Sequence, residues 1–87
     1  MESRCVTVGC ESGLHQKQAV YFVQKANEFQ SNLWVEYGNV KLNAKSLLGV
    51  LQMGLLFGQK PIISAEGPDA TAALDSLEDL LQHDVCI

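Results

Sequence analysis

LWVEYGNVKLN, residues 33–43, alternates on either side of a two-residue break. Leu33, Val35 and Tyr37 alternate with Trp34 and Glu36, and Val40 and Leu42 alternate with Lys41 and Asn43. A period of two marks a strand with one buried face. Gly38-Asn39 separates the two runs. Glycine at the first central position suits a type II′ turn, whose twist matches that of the strands it joins. The stretch predicts a β-hairpin with its register set by two loop residues.

Downstream the period changes. Ser46 precedes the apolar run LLGVLQMGLLF. Serine is a preferred N-cap because its oxygen accepts from an orphan backbone N–H, so a short helix is expected from Leu47 to about Met53. Gly54 and Gly58 loosen or end it. From 47 to 57 only Gly49, Gln52 and Gly54 are not apolar. A two-turn helix on a sheet buries one stripe, not its whole circumference. Either some of these leucines are exposed and meet a partner, or the glycine-broken end folds back into the core. Pro61–Glu66 reads as a fourth strand, and Gly67-Pro68-Asp69 supplies a turn and a helix start. Ala70, Ala73, Leu74, Leu77, Leu80 and Leu81 form the stripe of a last helix, to about His83.

Upstream of the hairpin, Ala19, Phe22, Val23 and Ala26 share one face of a helix from about Gln16 to Glu28, with Gln18, Lys25 and Glu28 able to face water. Gly9–Leu14 is a loop by composition, and Arg4–Val8 is a short β-branched strand. The order β-α-β-β-α-β-α predicts an α+β domain with helices covering one face of an antiparallel sheet.

Eighty-seven residues suffice for one domain, spanning 1–87. Hydrophobic residues make up 47% and charged residues 18%, a balance that folds rather than remaining disordered. Six Lys and Arg against ten Asp and Glu leave a net charge of −4, which speaks against direct nucleic-acid binding. The acidic excess sits late: no Lys or Arg follows Lys60, so the last helix is expected to present a solvated acidic face. No apolar run is long enough to insert in a membrane, and the start, MESRCVTVG, lacks the apolar stretch of a secretory signal, so a cytoplasmic protein is expected. Cys5, Cys10 and Cys86 show no C-x-x-C spacing. They are expected to be free thiols, although spacing leaves a Cys5–Cys86 contact open.

Two positions could carry chemistry. His15 stands between a glycine-containing loop and an amphipathic helix. A helix N-terminus offers unpaired N–H groups and partial positive charge, a setting for phosphate. A neutral imidazole nitrogen there is a competent nucleophile near pH 7 and could accept a phosphoryl group; a surface or capping histidine is the plain alternative. Lys17, two residues on, could neutralise a bound phosphate as a point charge. Ser46 is accounted for as an N-cap, and a phosphate on it would sit at a positive helix end, flanked by Lys45. His15 and His83 have no metal-ligand spacing, and His83 suits a helix C-terminus. No metal or cofactor is expected, and no nucleotide-binding or hydrolase motif is present.

Gly13-Leu14-His15, then Asn43-Ala44-Lys45-Ser46-Leu47-Leu48-Gly49, then Ile63-Ser64-Ala65-Glu66-Gly67 together resemble the HPr family, the histidine phosphocarriers of the phosphoenolpyruvate:sugar phosphotransferase system. The similarity runs nearly the whole chain in the same order. It implies an open-faced β-sandwich of four antiparallel strands with three helices on one side. It also implies a carrier rather than an enzyme: His15 takes a phosphoryl group through Nδ1 from phosphorylated enzyme I and passes it to sugar-specific permease acceptor domains. In Gram-positive relatives the serine matching Ser46 is phosphorylated by HPr kinase/phosphorylase, and that form binds a catabolite-control transcription factor. Leu47, Leu48 and Leu51 match an apolar docking surface, and Gln18, Val20 and Lys45 are further partner-binding positions. The NAKSLLG wording is nearest the Gram-positive branch, including its regulatory Crh-type paralogues, which offer an alternative function acting through phosphorylated Ser46 alone.

The chain departs from the family directly after His15. The family's x-Arg-Pro-Ala is here Gln16-Lys17-Gln18-Ala19. Lysine keeps the charge but not the bidentate fork of arginine. Gln18 loses the fixed φ of proline and regains an N–H. Crh-type proteins depart the other way, keeping Arg-Pro and losing the histidine.

Overall fold

The computed structural model describes residues 1–9 and 17–82. His15, the loop at Gly9–Leu14 beyond Gly9, Cys10, His83 and Cys86 lie outside the described residues. So does the Cys5–Cys86 contact.

Seven elements follow in the expected order: β1 (Glu2–Cys5), α1 (Lys17–Asn27), β2 (Asn32–Tyr37), β3 (Val40–Asn43), α2 (Leu47–Met53), β4 (Ile62–Glu66) and α3 (Ala70–Gln82). The strands form one antiparallel sheet in the order β1-β4-β2-β3. The predicted hairpin is present. Tyr37 pairs with Val40, and Gly38 turns the chain with φ of 62°, as primed turns require.

Register explains which face is covered. Leu33 lies opposite Ala65 and Val35 opposite Ile63. All four are buried, in one cluster with Ala19, Phe22, Val23 and Ala26 of α1, Val50 of α2, and Ala73, Leu74, Leu77 and Leu81 of α3. The residues between them, Trp34 opposite Ser64 and Glu36 opposite Ile62, belong to the other face. The fold is therefore an open-faced sandwich: one sheet face carries the helices, and the other bears Ile62 and a Trp34 ring with the Lys41 ammonium 5.3 Å from its centroid.

The first strand is displaced from its expected position. Arg4–Val8 was the expected span, but the ladder runs from Glu2 to Cys5. Val6 and Val8 are buried nonetheless, their N–H groups donating to the carbonyls of Pro61 (3.0 Å) and Gln59 (2.8 Å). Pro61 has no N–H to give back, so regular pairing stops at its neighbour Ile62, which also begins β4 one residue later than expected. A second difference concerns α1. Gln18, expected to face water, is buried together with Ala19.

Side-chain clamps tie the ends of elements together. Arg4 on β1 bridges to Asp75 and, at 2.9 Å, to Glu78 on α3, and these two carboxylates hold its guanidinium pKa above the ordinary value. The Asp69 carboxylate, at the start of α3, accepts from the Ser31 hydroxyl and from the backbone N–H groups of Gln30 and Ser31, both at 2.9 Å. These bonds, the Ser31 hydroxyl foremost, draw its pKa below the ordinary carboxylate value. Gly67 permits this approach: a Cβ there would lie 2.7 Å from Ser31 Cα.

Candidate functional site

α1 opens on Lys17, whose side chain is exposed. An α-helix leaves its first N–H groups without internal partners, so the backbone at Lys17 and Gln18 adds partial positive charge to that of the lysine. This is where the sequence predicts an anion beside His15. Val20, one turn further along α1, is exposed as expected of a contact residue.

Gln18 behaves differently from its neighbours. Its side chain is only 7% exposed, and its Oε1 is buried without any hydrogen-bond partner. Leaving a buried carbonyl-type acceptor unpaired costs about 1–3 kcal/mol. Sequence periodicity could not reveal this, because glutamine at the edge of an apolar stripe is ordinarily solvated.

The second candidate position has its cap in place. Ser46 has extended backbone angles (φ −99°, ψ 113°), and its Oγ accepts from Gly49 N at 3.2 Å. The preceding turn is held by Asn43 Oδ1, which accepts from Lys45 N at 2.8 Å. Lys45 does not extend toward solvent. Its Nζ donates to the Phe29 carbonyl at 2.7 Å, just past the C-terminal end of α1, where a cation is favoured. Asn27, the last residue of α1, donates to the carbonyls of Val23 (2.8 Å) and Lys45 (3.3 Å). Lys45 and Asn27 thus fasten the entry to α2 onto the end of α1, against which α2 packs.

The over-apolar segment both exposes leucines and returns to the core, at different residues. Gly54 ends α2 in the left-handed region (φ 57°, ψ 49°), and the chain turns so that Leu55 enters the core. Val50 is the buried residue of α2. Leu47, Leu48 and Leu51 face solvent, as do Leu56 and Phe57, with Leu48 67% exposed. So much uncovered apolar area is characteristic of a protein-docking surface. Leu56 and Phe57 are exposed in addition to the three leucines picked out from the sequence. Their exposure depends on the turn at Gly54, which the composition of the run does not report.

Among the described residues no group of acidic, histidine and cysteine side chains could hold a metal ion, and no helix is long and apolar enough to cross a membrane.

A family model described as the phosphorylation site of the HPr component of the phosphotransferase system matches residues 2–83. Solved structures agree. An HPr from Thermoanaerobacter tengcongensis is 39% identical, with a TM-score of 0.90 over 94% of this chain and 92% of its own. A phosphocarrier protein HPr from Bacillus anthracis is 33% identical, with a TM-score of 0.91 over 93% and 96% of the two chains. The catabolite-repression protein Crh of Bacillus subtilis, crystallised as a swapped, intertwined dimer, is 33% identical, with a TM-score of 0.77 over the full length of both chains.

Proposed function

Because this chain belongs to the HPr family of the phosphotransferase system, a family of carriers rather than catalysts, we propose that it relays a phosphoryl group through His15. Phosphorylated enzyme I is the donor, and the acceptor domains of sugar permeases receive the group. The chain acts as one domain, residues 1–87, in the cytoplasm. The observation that carries the reading is the opening of α1: an exposed Lys17 beside helix N–H groups, two residues after the histidine. Lys17 attracts the phosphoryl oxygens as a point charge, and the unpaired N–H groups supply donors to them. Lysine cannot make the two-pronged contact of arginine, so this chain relies more on the backbone.

Incubation with phosphoenolpyruvate and enzyme I tests the reading. An acid-labile phosphate on His15, absent from His15→Ala, is the expected result; an unlabelled wild-type protein overturns it. Lys17→Ala is expected to slow labelling about tenfold or more while leaving the melting temperature within a degree or two, since an exposed side chain contributes little to folding. Equal labelling rates would remove Lys17 from the site.

A regulatory activity is supported by a separate observation. Ser46 stands at the entry to a helix whose Leu47, Leu48 and Leu51 are uncovered. We propose that HPr kinase/phosphorylase phosphorylates Ser46 and that the product docks through these leucines on a catabolite-control transcription factor, as a Crh-like protein would. Val20, exposed on α1, flanks the two positions as a partner-binding residue, whereas the buried Gln18 and the Lys45 ammonium bound to the Phe29 carbonyl are not presented to a partner in this fold. Phosphate on Ser46 survives acid, which distinguishes it from phosphate on His15. A kinase that leaves the serine unmodified overturns this activity alone.

A further inference from the structure

β3 closes one side of the sheet, and its register shows which backbone groups are left over. Ala44 N donates to the Leu33 carbonyl at 2.9 Å. Bonded and non-bonded pairs alternate along an antiparallel ladder, so Leu42 and Val40 also exchange bonds with β2, while Lys41 and Asn43 turn their backbone groups outward. The Asn43 carbonyl is taken by Ser46 N at 3.1 Å. Among the described residues, the Lys41 N–H, the Lys41 carbonyl and the Asn43 N–H are left to another strand. A lysine on an edge strand ordinarily obstructs such pairing. Here its ammonium is drawn inward, 5.3 Å from the centroid of the Trp34 ring on β2.

On the helix side of the same edge, Tyr37, Val40 and Leu42 line a groove of about 200 Å³ with Gln52 and Met53 of α2. None of these walls is charged. The groove is smaller than the roughly 300–1,000 Å³ of pockets that enclose small-molecule ligands, and it suits side chains instead. A strand laid antiparallel along β3 points the residues opposite Val40 and Leu42 to this side, and the residue opposite Lys41 to the other.

We propose that the β3 edge receives an extended segment of a partner protein as a fifth strand, with apolar residues in the groove and an acidic residue between them, opposite Lys41. The outward backbone groups demand an extended chain, and the uncharged groove demands apolar side chains. Lys41 supplies the charge to be complemented, since among the described residues no carboxylate forms an ion pair with it. A second copy of this chain fits the edge less well. A two-fold axis through Lys41 sets two lysines opposite each other. An axis through Leu42 calls on the Asn43 carbonyl that Ser46 N already holds. Either would join two four-residue strands, far less contact than the roughly 800 Å² per partner of a stable dimer.

A nitrogen-15 NMR titration of the whole chain with the capped peptide Thr-Leu-Glu-Val-Thr tests the proposal. The amides of Lys41 and Asn43 are expected to shift downfield with saturation and to gain protection from exchange. No saturable shift at these two amides in millimolar peptide overturns the proposal. Methylating the backbone nitrogen of the peptide's glutamate removes its bond to the Lys41 carbonyl and is expected to weaken binding about tenfold or more. Equal affinity would show that the backbone edge is not used. Arginine in place of that glutamate turns an attractive cross-strand pair into a repulsive one, and a loss of about tenfold is expected. An arginine peptide that binds as well overturns the role of Lys41. Val40→Lys alters a side chain that is 48% exposed, so it is expected to fold, and it should weaken the peptide by a similar factor. Unchanged affinity would remove the groove. A dimer of the protein alone, with the Lys41 and Asn43 amides protected in it, would give the edge to a second copy and overturn the proposal.

Discussion

Asp69 illustrates how one side chain can hold distant parts of a small fold together. Its carboxylate collects three donors from Gln30 and Ser31, 39 and 38 residues away in the chain. Its pKa is lowered by the Ser31 hydroxyl first and the Gln30 N–H next. A depressed carboxylate stabilises the folded state fully above the ordinary aspartate range, near pH 4, and loses that contribution as pH falls through the lowered folded value. Asp69→Asn is expected to melt below the wild type at pH 7, with the difference shrinking as pH falls below the ordinary aspartate range and through the lowered folded value. A gap that stays constant over that range would show that charge is not the source. Arg4 forms the corresponding clamp between β1 and α3, but its ionisation lies too high to contribute in this window.

At the scale of the element, α2 shows a helix whose start is capped and whose end is set by a glycine. Seven residues are too few to be helical in isolation, so its stability comes from the Ser46 cap, the αL glycine and the contact of Val50 with the core. Ser46→Ala is expected to cost about 1 kcal/mol, through the lost bond to Gly49 N. Ser46→Asn is the more informative variant. It keeps a capping oxygen and is expected to retain stability within about 0.5 kcal/mol, yet it offers no hydroxyl to a kinase. If Ser46→Asn melts as low as Ser46→Ala, side-chain capping is not what holds the helix start. On the outer side of the same helix, Leu48→Lys is expected to change folding stability by no more than about 0.5 kcal/mol, since the leucine is 67% exposed. It should weaken binding of the Ser46-phosphorylated protein to its regulatory partner at least tenfold, measured by titration calorimetry. Unaltered affinity would place the docking surface elsewhere.

Across the whole molecule, the segment following β1 closes against the end of α3. Gly9 N donates to the Leu81 carbonyl at 2.8 Å, and a Cβ at Gly9 would lie 2.2 Å from the Gln82 carbonyl oxygen. That contact is with backbone, so a side chain can be fitted only if β1's continuation or the end of α3 moves. Gly9→Ala is expected to lose about 1–3 kcal/mol, the ordinary cost of overpacking. In a domain with so small a core this is a large share of the total, and it would appear as a fall in urea midpoint with an unchanged m-value. An alanine variant as stable as the wild type would mean that the α3 terminus yields without resistance. The same closure explains why Val6 and Val8 are buried beyond the formal end of β1. They continue the inward face of the strand under α3.

The hairpin, the bounds of α2 and the apolar stripe of α3 were legible in the sequence because each depends on residues a few positions apart: a period, a cap, a turn glycine. Lys17 and Ser46 stood out as candidate positions for the same reason, and Leu48 through the family resemblance. Hidden from view were the extent of β1, the fate of Leu55 against that of Leu56 and Phe57, the burial of Gln18 and the commitment of Lys45 to the Phe29 carbonyl. The sequence by itself determined which segments are helix or strand and which family the chain resembles, since those follow from local spacing and wording. Only the tertiary structure decided which polar atoms are buried unpaired and which apolar ones stay in water. Those outcomes depend on contacts between segments far apart in the chain, such as the β1 register against Pro61 or the turn at Gly54, and no local pattern encodes them.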